Sequence, residues 1–189
     1  MRLITGDIFD PKTYLSKIGT KNFAIAITTN GFIKNTGESV MGRGVAAQAC
    51  RLFPNLPACV GLATRETKNR PAFLFYWLRE NISIGVFTFP VKPDKVVVNS
   101  NNIVSWNRDK FSEGDTAPGW AAKADLSIIV RSWKCLQYLI AACPRFRKFE
   151  AVIIPKPGCG AGELEWEEVE SALDSTKILH RKFYIIDRE

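Results

Sequence analysis

Two strand-length runs, Phe23-Ala-Ile-Ala-Ile-Thr28 and Ala151-Val-Ile-Ile154, carry apolar side chains at consecutive positions rather than at every second one. A strand apolar on both faces must be covered on both faces. That condition is met by a mostly parallel sheet between two helical layers. Between the runs the period changes. Gly44 to Phe53 has helix-forming composition and is stopped by Pro54. Leu126, Ile129, Trp133, Leu136 and Ile140 recur on one helical face and are followed by Pro144. Trp166 opens a further helix, with Glu165, Glu167 and Glu168 at its positive end.

Shorter signals complete the pattern. Residues 2–5 suit a first strand ended by Gly6-Asp7, and Lys182 to Asp187 suits a last one. Ala72–Leu78 and Ile82–Phe89 read as a hairpin turning at Arg79-Glu80-Asn81, bracketed by Pro71 and Pro90. Pro93 to about Lys123 has no clear period and reads as a long loop or insertion. Loops of that length tend to be functional or mobile. Strands alternating with helices in 189 residues predict one α/β domain over residues 1–189. In such a sheet ligands sit beyond the carboxyl ends of the strands.

Two glycine-rich loops stand at such ends. The first runs from Thr29-Asn30-Gly31 to Val40-Met41-Gly42-Arg43-Gly44-Val45-Ala46, and the second is Pro157-Gly158-Cys159-Gly160-Ala161-Gly162. Each joins a buried strand to a helix, where backbone N–H groups and the helix dipole suit an anion. Two such loops suit two linked phosphates. Neither has the lysine and hydroxyl residue of a P-loop or the Gly-x-Gly-x-x-Gly spacing, which argues against a nucleoside triphosphatase. A pair of tight structural turns is the competing reading.

Composition narrows the class. Cys50, Cys59, Cys135, Cys143 and Cys159 are odd in number and none forms Cys-x-x-Cys, against a disulfide framework or a structural zinc site. No metal and no cofactor is expected. No apolar run approaches the ~20 residues needed to span a bilayer, and no secretory leader pattern is present. The expected location is cytoplasmic, with no membrane partner. Lys and Arg number 26 against 19 Asp and Glu, a net +7. Such a charge favours phosphate-rich partners, with a nucleic-acid carrier among them, or simply solvates the surface. It is densest at Arg145–Lys148 and Lys177–Lys182.

Gly6-Asp7-Ile8, Asn30-Gly31, Met41-Gly42-Arg43-Gly44-Val45-Ala46 and Gly158-Cys159-Gly160-Ala161-Gly162-Glu163-Leu164-Glu165-Trp166 together resemble the macro domain, in order and spacing, over essentially the whole chain. The resemblance is nearest to the branch with Met-Gly-x-Gly and Gly-Cys-Gly loops. That branch includes the terminal ADP-ribose protein glycohydrolase, the antitoxin that removes ADP-ribose from DNA, and small ADP-ribose-1″-phosphate phosphatases. The resemblance implies a three-layer α/β/α fold around a mixed, mostly parallel sheet, with ADP-ribose or an ADP-ribosylated macromolecule as partner. It places Asp7 and Ile8 at the adenine. Gly42, Gly44 and Val45 would lie on one side of the diphosphate, and Gly158, Cys159, Gly160, Ala161 and Gly162 on the other. Asn30 would stand beside the distal ribose, and Thr29 is counted among the ligand-binding residues. Cys159 reads as a spacer rather than a nucleophile.

Lys92, in Phe89-Pro90-Val91-Lys92, resembles the Phe-Pro-x-Lys of the DNA-directed branch, whose lysine acts at the distal ribose. To be nucleophilic there, its amine must be deprotonated by burial or by a neighbouring cation. The competing reading is a surface lysine, and Lys95 lies close by. The sequence also departs from the family. Where the protein-directed branch has a catalytic Asp, this chain has Gly162, and Glu163 follows it. His180, the only histidine, is far from both loops and reads as a surface residue. The first expectation is therefore a hydrolase that removes ADP-ribose from DNA or protein, with Lys92 and Asn30 catalytic. An ADP-ribose-1″-phosphate phosphatase and a non-catalytic ADP-ribose reader are the alternatives.

Overall fold

A computed structural model describes residues 1–176 and 182–188. His180 and most of the basic stretch 177–182 lie outside the described residues. Six strands form the main sheet: β1 (Arg2–Thr5), β2 (Phe23–Asn30), β3 (Phe73–Arg79), β4 (Ile82–Lys92), β7 (Ala151–Pro155) and β8 (Phe183–Asp187). Their order is β1-β8-β7-β2-β4-β3. All neighbours are parallel except β3, which pairs antiparallel with β4 at one edge. A two-residue turn joins β3 to β4, with Glu80 and Asn81 both at positive φ, as a tight hairpin requires.

The doubly apolar strands are explained by what covers them. On one face Ile25, Ile27, Ile84 and Ile153 meet α2 (Gly44–Leu52) and α3 (Leu56–Thr67) through Ala49, Leu56 and Val60. On the other, Ala24, Ala26, Phe87, Phe89, Val152 and Ile154 meet α4 (Leu126–Ala142) and α5 (Trp166–Asp174). Ile129, Trp133, Leu136 and Ile140 of α4 are all buried there. Asp125 caps α4 by accepting hydrogen bonds from the N–H groups of Ser127 and Ile128. The result is a three-layer α/β/α fold, as the alternation of elements predicts. A short helix, α1 (Leu15–Ile18), fills the link from β1 to β2.

Three expectations change. Residues 56–67 form a helix that no periodicity revealed. Pro90 does not bracket the hairpin but lies inside β4, which runs on to Lys92. It is tolerated because β3 has already ended. Thr88 N–H donates to Ala72 O on that side, so the next position facing the same way needs no donor. The carbonyl of Pro90 instead accepts from Ser132 Oγ of α4 at 2.7 Å.

The third change concerns residues 93–123, which are not a structureless loop. β5 (Lys95–Val97) and β6 (Thr116–Pro118) pair antiparallel, and Ser105–Lys110 forms a 3₁₀ helix. Val98, Ile103 and Ala117 make a small core of their own. Polar loop residues hid these apolar contacts, which are separated in sequence.

Gly85 of β4 faces the ring of Phe149, and any Cβ there would overlap that ring. Gly85→Ala is expected to destabilise the fold by about 1–3 kcal/mol, the usual scale of overpacking in a close-packed core. Urea unfolding checks it, and an unchanged midpoint would show that Phe149 moves aside freely.

Candidate functional site

The two glycine loops face each other across a cleft of about 440 Å³ at the carboxyl ends of the parallel strands. Asp7 and Ile8 lie at the β1 end of this cleft, and Asn30 and Lys92 at the β2–β4 end. Sequence positions more than a hundred residues apart thus share one wall-to-wall space. Helix α2 begins at Gly44 with no side-chain cap, and the first glycine loop leads straight into it. The N–H groups of Gly42, Gly44 and Val45 have no acceptor among the described residues. Across the cleft the same holds for Gly160, Ala161 and Gly162. Amides left open in this way on two sides of one cleft form a ready site for a bridging anion.

Lys92 occupies the last position of β4 and is only 7% exposed. It is not a surface lysine. Its Nζ donates to Ala161 O at 2.7 Å and to Trp120 O at 3.5 Å. The amine therefore joins the central sheet to the second glycine loop and to the 93–123 segment. Burial lowers its pKa to about 8, with Glu163 opposing the shift and Arg43 adding to it. Lys95, its neighbour in sequence, is exposed.

At the other end, Asp7 Oδ1 accepts from Phe9 N–H at 2.9 Å, and Oδ2 lies 3.7 Å from Arg188. The turn thus fixes the carboxylate while leaving Oδ2 with lone pairs free. Ile8 is buried, its carbonyl taken by Tyr14 Oη at 3.0 Å. Thr29 is buried in the cleft wall, and its hydroxyl has no partner among the described residues. Asn30 Nδ2 donates to Val40 O at 2.7 Å, and its Oδ1 accepts from Phe32 N–H at 3.0 Å. The side chain fastens the first loop to β2. One amide hydrogen and one lone pair remain for a ligand.

Two side chains of the second loop do not face the cleft. Cys159 does not line the cleft. Its thiol rests on Pro157 O at 3.7 Å and packs against the core beside α4 and α5. Burial raises its pKa to about 11, so it is neither a thiolate nor a diphosphate ligand through its side chain. Glu163 turns away from the cleft as well. It sits at φ 56°, and its Oε1 accepts from both the N–H and the Oγ of Ser105, at 2.8 and 2.5 Å. Lys123 Nζ stands 3.8 Å from its other oxygen. Glu163 thereby pins the 93–123 segment to the second loop. At Gly162, where the Asp would stand, a Cβ would meet Ala124 Cβ at 2.6 Å and the carbonyl of Gly158. No carboxylate fits there.

The sequence reading missed the side chains that the 93–123 segment contributes. Trp106, Asn107, Lys110 and Trp120 line the cleft beside Lys92. Arg43 of the first loop stacks on Trp106 with 4.4 Å from its guanidinium carbon to the ring centre. Large aromatic residues in an otherwise polar, aperiodic stretch were the available signal. Among the described residues no group of His, Cys, Asp and Glu is placed to hold a metal ion, and no helix is long and apolar enough to cross a membrane.

The depressed Lys92 pKa sets a pH dependence. The ordinary value is 10.5 and the folded value about 8. Between the two the unfolded chain binds the extra proton, so folding stability rises with pH across that window. Below about pH 8 the full cost of burying the charged amine is present. The stability of the wild type relative to Lys92→Met is expected to rise between pH 8 and 10.5, read from urea unfolding. A difference that does not vary with pH would mean that the amine titrates normally.

No protein-family model matches the chain, and no curated protein does. Solved structures do resemble it in fold. The macrodomain of Thermus aquaticus DarG has 19% identity and a TM-score of 0.59, over 100% of this chain and 97% of that one. The macrodomain of Mycobacterium tuberculosis DarG has 19% identity and a TM-score of 0.60, with the same coverage. Thermosipho africanus DarTG, solved in complex with ADP-ribose, has 16% identity and a TM-score of 0.58, over 98% of this chain and 41% of that longer one. Open amides from two glycine loops, spanning the carboxyl ends of a mostly parallel sheet with this strand order, complete the same picture: the chain has the macrodomain fold.

Proposed function

We propose that the chain binds ADP-ribose in this cleft and hydrolyses it from a modified macromolecule, DNA or protein, with Lys92 acting at the distal ribose. The observation that carries the reading is the placement of a buried lysine amine at the end of a cleft walled by two facing rows of unpaired backbone amides. The diphosphate would lie between Gly42–Val45 and Gly160–Gly162. The adenine would then lie toward Asp7, whose carboxylate suits an amino donor and disfavours a carbonyl. The distal ribose would reach Asn30, Thr29 and Lys92. The Thermosipho DarTG complex supports the ligand class, since that protein of like fold holds ADP-ribose.

The chemistry follows from the amine. With a pKa of about 8, roughly one Lys92 in ten is neutral at pH 7. The neutral amine attacks the anomeric carbon as the bond to the carrier breaks. The electron pair of that bond leaves with the carrier, which takes up a proton. Water then displaces the amine from the same carbon, releasing ADP-ribose and restoring Lys92. The protein-directed acid mechanism has no residue to carry it, because Gly162 leaves no room for a side chain.

Chromatographic assay of mono-ADP-ribosylated oligonucleotide and protein tests this. Release of ADP-ribose is expected from the wild type, rising with pH toward about 8. Lys92→Ala is expected to lower the rate by ~100-fold or more, the scale of a positioned reacting group. Full release by Lys92→Ala, or none by the wild type, would defeat the mechanism. Phosphate release from ADP-ribose-1″-phosphate that is indifferent to Lys92→Ala would favour a phosphatase instead. Separately, Asp7→Ala is expected to weaken ADP-ribose binding by about tenfold in calorimetry, the scale of one hydrogen bond to a charged group. Normal binding by that variant would remove the adenine assignment.

A further inference from the structure

A second depression, of about 750 Å³, lies between the end of α3 and the outer face of α4. Lys68, Arg70 and Lys134 line it, with Tyr138 beside them. Arg131, one turn before Lys134 on α4, faces the same way and donates to Asn69 O at 3.4 Å. Among the described residues none of these four cations has a carboxylate within 4 Å. Glu66 is the only acid in the lining. Four unpaired cations thus lie around one groove in a protein of net charge +7. Tyr138 is 76% exposed and offers a ring face in the midst of them.

The position of the groove gives this charge a meaning. Asn69, flanked directly by Lys68 and Arg70, donates from Nδ2 to the Lys92 carbonyl at 3.0 Å. The groove therefore abuts the strand end that carries the buried amine. The sheet order sets Asp7 just past β1 and Lys92 on β4, with only β3 beyond it. A macromolecule joined to the distal ribose leaves the cleft at the β4 end, on the side of the groove. This last step rests on the orientation proposed above for ADP-ribose.

We propose that the α3–α4 groove is a binding track for single-stranded nucleic acid, with Lys68, Arg70, Arg131 and Lys134 contacting phosphates and Tyr138 stacking a base. Unpaired cations around a groove with an exposed ring form the usual combination for a single strand, whose backbone follows the charge and whose bases are free to stack. The carrier of the modification is then a nucleic acid, held beside the cleft by the nucleotides that flank the modified one.

The test uses the full chain and an unmodified, fluorescein-labelled oligothymidylate about twelve nucleotides long, a length that covers a typical single-strand site. Fluorescence anisotropy is measured over a range of salt. Wild type is expected to bind, with affinity falling as salt rises. The triple variant Lys68→Glu/Arg70→Glu/Lys134→Glu is expected to bind at least ~10-fold more weakly, with a salt slope shallower by about 2. Tyr138→Ala is expected to weaken binding by about fivefold or more. ADP-ribose titration of each variant should match wild type, because none of these residues lines the cleft.

Unchanged affinity and slope in the triple variant would overturn the proposal, as would wild type binding a duplex or an acidic protein but not the single strand. If the triple variant loses ADP-ribose binding as well, Tyr138→Ala decides, and unchanged oligonucleotide binding by it would overturn the track. If wild type binds the oligonucleotide as expected but not ADP-ribose, the reading of the cleft fails and the groove stands.

Discussion

The contact between the Lys92 ammonium and the Ala161 carbonyl, at 2.7 Å, holds three parts of the molecule in register. A cation this deeply buried must be met by acceptors or lose its proton. Two carbonyls meet it, one from the second glycine loop and one from Trp120. Because β4 fixes the lysine backbone, the amine in turn fixes how closely that loop and the 93–123 segment approach the sheet. The width of the cleft follows. The same two carbonyls donate no proton, and neither can take one up. By accepting from the ammonium they favour the charged amine, against the burial that lowers its pKa. Position and reactivity at Lys92 thus come from one arrangement.

Glu163 completes that arrangement from a distance. In the left-handed conformation its side chain turns away from the cleft toward Ser105. The 93–123 segment is then held at the second loop by a carboxylate and at the first by the stacking of Arg43 on Trp106. The carboxylate that follows Gly162 thus serves as a structural anchor. The cleft gains an aromatic and basic rim that the two glycine loops alone do not supply.

Much of this was legible in the sequence, for identifiable reasons. The doubly apolar strands at Phe23 and Ala151 gave away a covered sheet, since burial on both faces leaves no polar alternation. The glycine loops stood out because both follow such strands. α3 was hidden because Pro57 and Gly61 interrupt its composition. Yet Pro57 lies in the first turn, where no N–H bond is lost. Lys92 was visible as a residue but not as a buried one. Its burial depends on Trp120 and Ala161, which lie 28 and 69 residues further on. Trp106 and Lys110 were missed because the segment that carries them folds through a small core with no local period. The direction in which the Cys159 side chain points was not legible. A glycine-flanked residue can point either way, and only packing against α4 and α5 decides it.

Pro90 has a further effect on what can approach Lys92. Past the end of β3, the outer edge of β4 has no free amide at Pro90. The Pro90 carbonyl is already held by Ser132, and the Lys92 carbonyl turns toward β2, accepting from Gly31 N–H at 3.1 Å and from Asn69. An extended polypeptide therefore finds no main-chain ladder to join there, so β-strand addition is closed beside the amine. A polymer that approaches Lys92 from this side has to be held by side chains rather than by strand pairing.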